Sequence, residues 1–150
     1  MASVQTRRSN RVFIDSSVLL AAAISVQGGG RELLRRGFRG EFDLYISSEV
    51  LEETERNLSL KAPQGLDAFY LLGELLLAKV VNPPRSLVLA AAKVVIAKDA
   101  PIVAAAVEAG ANYLATYDRK HLLRSREKVK SRFGVTIALP GEVLGNPEGN

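Results

Sequence analysis

Lys98-Asp-Ala-Pro-Ile-Val-Ala-Ala-Ala-Val-Glu-Ala-Gly-Ala-Asn-Tyr-Leu-Ala-Thr-Tyr-Asp118 is the stretch whose reading decides the fold. Asp99 stands where a helix cap is expected. Pro101 falls in the first turn, where a missing N–H is tolerated. The apolar run that follows stops at Gly110, a favoured C-terminal cap. Asn112–Thr116 then reads as a buried strand, and Asp118 comes two residues after it. A helix that feeds a strand ending near an acid is one half of a βαβ unit.

The same grammar extends outward. Arg11–Asp15 (RVFID) reads as a buried strand ending in an acid, and Ser16–Val26 as a helix with Val18, Leu19, Ala22 and Ala23 on one face. After the break at Gly28–Gly30, Arg31–Arg39 is a basic amphipathic helix. Phe42–Ser47 is a second strand, and Ser47 or Ser48 caps a helix running to about Leu58. Gln64–Ala78 is a strongly apolar helix. Lys79–Asn82 reads as a short strand before Pro83-Pro84, and Ser86–Ala97 as a helix, with strand as the alternative. Arg119–Arg132 reads as a basic helix, Val135–Leu139 as the last strand, and Glu142–Leu144 as a short helix after the Pro140-Gly141 turn. Alternation of this kind implies a parallel sheet covered on both faces, with the site at the carboxyl ends of the strands.

Composition bounds the reading. The chain has 150 residues, 47% of them hydrophobic, which suits one domain with a real core. The absence of cysteine excludes thiolate zinc sites, disulfides and thiol redox chemistry. Met1–Asn10 lacks the apolar stretch of a signal peptide, and no apolar run reaches the ~20 residues that span a bilayer. A cytoplasmic protein without membrane contact is expected. The net charge of +4 becomes informative only where charges segregate, and 6% aromatics without tryptophan do not suggest a base-stacking platform.

In a parallel sheet Asp15 and Asp118 share one edge, and Asp99, opening a helix that leads into a strand, starts on that edge too. Glu53 lies on the flank of a helix whose apolar face is Val50, Leu51, Thr54 and Leu58, whereas Glu52 points to water. Each Asp read alone is more at home as a helix cap. Read together, they repel: at ~4 Å and an effective dielectric of 20 a carboxylate pair costs about 4 kcal/mol. Protonation or a divalent cation relieves that repulsion. Oxygen-rich acidic sites suit Mg²⁺ or Mn²⁺, ions that activate water and stabilise charge on a phosphate.

These residues resemble a known family. Val12-Phe-Ile-Asp-Ser-Ser-Val-Leu-Leu20 is similar to the opening motif of PIN domains, and Ile46-Ser-Ser-Glu-Val-Leu-Glu-Glu-Thr54 to the second, with Glu53 as its acid. Lys98–Ala106 and Ala109–Asp118 resemble the third and fourth motifs. Val135–Leu144 resembles the closing strand and helix. The resemblance implies an α/β fold: a PIN-like three-layer α/β/α sandwich around a parallel sheet of about five strands. The single domain would span 1–150, with a core of about 11–144 and ragged termini at 1–10 and 145–150. It further implies an Mg²⁺- or Mn²⁺-dependent endoribonuclease in which Asp15, Glu53, Asp99 and Asp118 hold the metal and activate water. Thr116 would orient an acid or a water, and Ser16 would support the turn at Asp15. Many small members are toxins of toxin–antitoxin pairs, so a small antitoxin partner and a homodimer are expected.

Some members carry a further Asp shortly after the fourth acid, where this chain has Lys120 and His121, and two more residues depart from the family pattern: Ser17, where Asn is frequent, and Tyr117, where a small residue is frequent. They leave room for an alternative, a PIN-fold RNA- or protein-binding module with weak or no nuclease activity. A phosphatase would need a second Asp at position 17, and a response receiver would need adjacent acids ahead of its phosphorylated Asp, of which the chain has no suitable pair. Arg119, Lys120, Arg124 and Arg126 are the expected RNA-phosphate contacts, a solvated basic helix being the equal alternative. Arg31, Arg35, Arg36 and Arg39 form a second basic stripe. His121, the single histidine, could touch a phosphate or carry a proton.

Overall fold

A computed structural model describes residues 10–145. The ragged termini expected at 1–10 and 145–150 fall outside it, apart from Asn10 and Gly145. The order is β1 (Arg11–Ile14), α1 (Ser16–Ile24), α2 (Gly29–Phe38), β2 (Asp43–Tyr45), α3 (Ser48–Lys61), α4 (Leu66–Leu76) and α5 (Arg85–Ala91). Then follow α6 (Ala100–Glu108), β3 (Tyr113–Ala115), α7 (Arg126–Phe133), β4 (Thr136–Ala138) and α8 (Pro140–Val143).

The four strands form one parallel sheet in the order β2-β1-β3-β4. Val12, Phe13 and Ile14 are wholly buried, as a central parallel strand covered on both faces requires. Helices flank the sheet: α1 packs against α2, α3 and α4, while α6 packs against α5, β1 and β3. From β1 the chain moves outward to β2 and then returns to the other side of β1 as β3. The order in which the chain adds strands therefore reverses between β1 and β3, while all strands stay parallel. The register Ile14↔Ala115 sets Asp15 beside Thr116 at the carboxyl ends of those strands.

The expected fifth strand is a correction. Lys79–Asn82 makes one parallel bridge, Ile46↔Val80, with Ile46 N–H donating to Lys79 O and Val81 N–H to Ile46 O. Pairing stops there because Pro83 and Pro84 have no N–H, and Asn82 turns its side chain to Ser48. The helix expected over Arg119–Arg132 is also shorter. Residues 119–122 form turns and Leu123–Ser125 a 3-10 turn, so α7 begins only at Arg126 and ends at Gly134, whose φ is 76°. The segment Ser86–Ala97 is helical only to Ala91 and continues as turns that bury Val95. Gln64–Ala78 divides into α4 with a 3-10 turn at each end, Pro63–Gly65 and Leu77–Lys79. Ser47 is the cap of α3, its Oγ accepting from Val50 N–H at 3.2 Å. No helix among the described residues is long and apolar enough to cross a membrane.

Candidate metal centre

Asp15, Glu53, Asp99 and Asp118 all line one cavity of about 230 Å³, with Ser16, Ser17, Asn57 and Lys98 in the same wall and Leu20, Ile102 and Leu122 as its apolar part. Four elements meet here: the ends of β1 and β3, the start of α6 and one flank of α3. Glu53 is half-buried and makes no hydrogen bond among the described residues, while Glu52 is exposed. A larger cavity, about 750 Å³, opens at the other ends of the strands beside Arg11, Lys79 and Asn112. Its single acid, Asp43, is paired with Lys79 at 2.5 Å and accepts from Tyr45 Oη at 2.9 Å. It therefore has no surplus of negative charge, and the acids are concentrated in the smaller cavity.

The carboxylates differ in how they are held. Asp15 occupies the cap position of α1 without capping it. Its Oδ2 instead accepts from Ser17 Oγ at 2.8 Å and Thr116 Oγ1 at 2.7 Å, leaving Oδ1 without a partner among the described residues. Thr116 also accepts the Asp118 N–H at 2.9 Å, and Ser17 accepts the Tyr117 N–H at 2.9 Å. These hydroxyls splice the two strand ends together. Asp118 instead holds the turn that follows it: Oδ1 accepts from the N–H groups of Lys120 and His121, both at 3.1 Å, and Oδ2 makes only a long 3.4 Å contact with Leu122 N–H.

Asp99 is the exception. It sits at the cap position of α6, yet its carboxylate caps nothing and has no hydrogen-bond or ion-pair partner among the described residues. The residue is only 5% exposed. Burial pushes its carboxyl above the ordinary range; the charges of Asp118 and, more weakly, Asp15 add to this, against the opposing pull of Lys98 and His121. A buried anion without a partner is costly, and a bound cation is its natural complement. Asp99 and Asp118, with Asp15 and Glu53 in the same wall, offer carboxylate oxygens that could hold a metal ion.

Sequence reasoning differs from this geometry in several places. Ser16 lines the cavity but makes no side-chain hydrogen bond among the described residues; the hydroxyl that ties the turn at Asp15 is that of Ser17. Ser17, at the position where Asn is frequent in the family, therefore orders Asp15 through its hydroxyl. Tyr117 turns away from the acids and accepts the Gly30 N–H at 3.1 Å on its phenol oxygen. Lys98 and Asn57 are cavity residues that the sequence reading passed over, although Lys98 adjoins Asp99 and Asn57 follows Glu53 by one helical turn. Arg119, Lys120 and Arg124 are exposed. Arg126 faces Glu142 at 3.9 Å and does not line the acidic cavity.

A family model described as a PIN domain matches residues 11–120. The chain belongs to the PIN-domain family. The match contains all four acids, and the PIN domain is a nuclease family. The crystal structure of PAE2754 from Pyrobaculum aerophilum is similar in fold, with a TM-score of 0.57 at 17% identity, covering 97% of this chain and 96% of that one. No curated protein matches the sequence.

Proposed function

We propose that this PIN-domain chain is a metal-dependent endoribonuclease that hydrolyses RNA phosphodiester bonds. Asp15, Glu53, Asp99 and Asp118 would hold Mg²⁺ or Mn²⁺. The observation that carries the proposal is the buried, unpartnered carboxylate of Asp99 in a cavity shared with the other three acids. Bound there, the ion supplies an activated water and stabilises charge on the phosphate. Thr116 and Ser17 fix Asp15 so that Oδ1 is the oxygen it offers, and the turn after Asp118 leaves Oδ2 the freer one. Arg119, Lys120 and Arg124, on the exposed segment after Asp118, would draw the RNA backbone toward the acids, with Arg126 as a more distant phosphate contact. The reading includes a toxin role in the cytoplasm, with a homodimer and a small antitoxin partner, on the strength of the family alone.

The competing reading, a PIN-fold RNA- or protein-binding module, drew on Ser17 and Tyr117. Neither residue favours it now, since one hydroxyl orders Asp15 and the other lies away from the cavity. Purified protein incubated with single-stranded and structured RNA, in Mg²⁺, Mn²⁺ or EDTA, tests the choice. Nuclease activity predicts cleavage that EDTA stops and Asp15→Asn abolishes. Retained RNA binding without cleavage in either metal supports the module, and cutting that Asp15→Asn leaves intact contradicts the proposed site.

A further inference from the structure

We propose that His121, whose ring nitrogen lies near the Asp99 and Asp118 carboxylates of the acidic cavity, is a ligand of the metal held there, and that this nitrogen tilts the site toward Mn²⁺ over Mg²⁺. This rests on the metal-dependent reading above and adds a residue and a selectivity to it.

The three side chains each offer one ligand atom, and these atoms lie within 4.8 Å of one another. A first-row dication bound at about 2.1 Å holds its ligand atoms roughly 3–4.2 Å apart, so small side-chain rotations bring the set together. His121 Nδ1 already stands 3.9 Å from Asp118 Oδ2. That separation is well beyond a charge-assisted hydrogen bond of about 2.7–2.9 Å, so the imidazole nitrogen is not committed to the carboxylate. Asp118 Oδ1 is taken up by the Lys120 and His121 amides, which leaves Oδ2, the oxygen facing the ring, to ligate. The turn after Asp118 thus does two things at once: it holds Asp118 and fixes the backbone that carries His121.

The independent sign that something positive belongs here is Asp99, 5% exposed, on the cavity wall and without a partner among the described residues. Carboxylates alone would serve Mg²⁺, which takes oxygen ligands and keeps its waters. A neutral imidazole suits the transition ions, which bind nitrogen more strongly in the order of the first-row series.

His121 is the sole histidine of the chain, so any imidazole nitrogen coupled to a bound ion can come from nowhere else in tag-free protein. Pulsed electron paramagnetic resonance of the full chain loaded with Mn²⁺ reads that coupling directly. The expected result is nitrogen modulation in the native protein and none in His121→Ala. That variant should bind Mn²⁺ about tenfold more weakly, while Mg²⁺ affinity, read by competition, changes less than about twofold. His121→Asp should restore Mn²⁺ binding without nitrogen modulation and move the preference toward Mg²⁺. Mn²⁺ that binds, is lost in Asp99→Asn and shows no nitrogen coupling overturns the role of His121 and leaves the acidic centre standing. No Mn²⁺ binding at all overturns both.

Discussion

Thr116 and Asp15, 101 residues apart in the chain, are joined by a hydrogen bond of 2.7 Å that ties the end of β3 to the end of β1. The same hydroxyl accepts the amide of Asp118, so one fully buried threonine serves both strand ends. Thr116→Val keeps the shape and removes both bonds. It leaves the Asp118 amide unsatisfied and Asp15 held by Ser17 alone. The expected loss is about 1–3 kcal/mol in urea denaturation. The expected fall in Mn²⁺ affinity by calorimetry is about 10- to 100-fold, typical of losing a group that orients a ligand. Thr116→Ser should recover most of both.

Asp99 gives the protein a distinctive pH dependence. Burial, then Asp118, raise its carboxyl above the ordinary value of 3.8. A carboxyl raised on folding stabilises the protein below its unfolded pKa and loses that contribution as pH rises through the folded one. Asp43 runs the other way: its bond to Lys79 lowers its pKa, so its stabilisation is lost as pH falls. Comparing the native protein with Asp99→Asn at each pH isolates the first effect. Without metal, the variant should become progressively more stable than the native protein as pH climbs above 3.8 toward neutrality. Saturating Mn²⁺ should shrink or reverse the difference, because only the native site binds the ion fully. A difference that stays constant from pH 3 to 7 in denaturation experiments would contradict this account of Asp99.

Tyr117 separates the fold from the site. Its phenol oxygen accepts the Gly30 N–H in the first turn of α2, one of the donors that a helix start leaves without an intrahelical partner. Tyr117→Phe should cost about 0.5–1.5 kcal/mol in thermal or urea unfolding. Mn²⁺ affinity should not change, since the ring lies outside the acidic cavity. A coupled loss of metal binding would show that α2 positions the acids, which the geometry does not suggest.

What could be read ahead from the residues was local chemistry. The proline-marked start of α6, the stop at Gly110 with φ 66°, and the serine cap of α3 each depend on side chains within a few positions of the event. The convergence of Asp15 and Asp118 was legible as well, because a parallel sheet puts both strand ends on one edge. Hydrogen bonds between distant hydroxyls and acids were not. Ser17 looked like a departure from the family pattern until Asp15 and Tyr117 were seen at its oxygen. The late start of α7 was hidden for a related reason: Asp118 captures the amides of Lys120 and His121 and so shapes a turn where a run of basic residues reads as helix. The fifth strand failed on its last residues, where two prolines end the pairing.

Crystals soaked in Mn²⁺ and measured at a wavelength where manganese scatters anomalously examine the acidic centre itself. The account predicts an anomalous peak inside the cavity, within about 2.0–2.3 Å of carboxylate oxygens from at least two of Asp15, Asp99 and Asp118. A cavity that stays empty under saturating Mn²⁺, or a peak held only by residues outside it, would contradict the account.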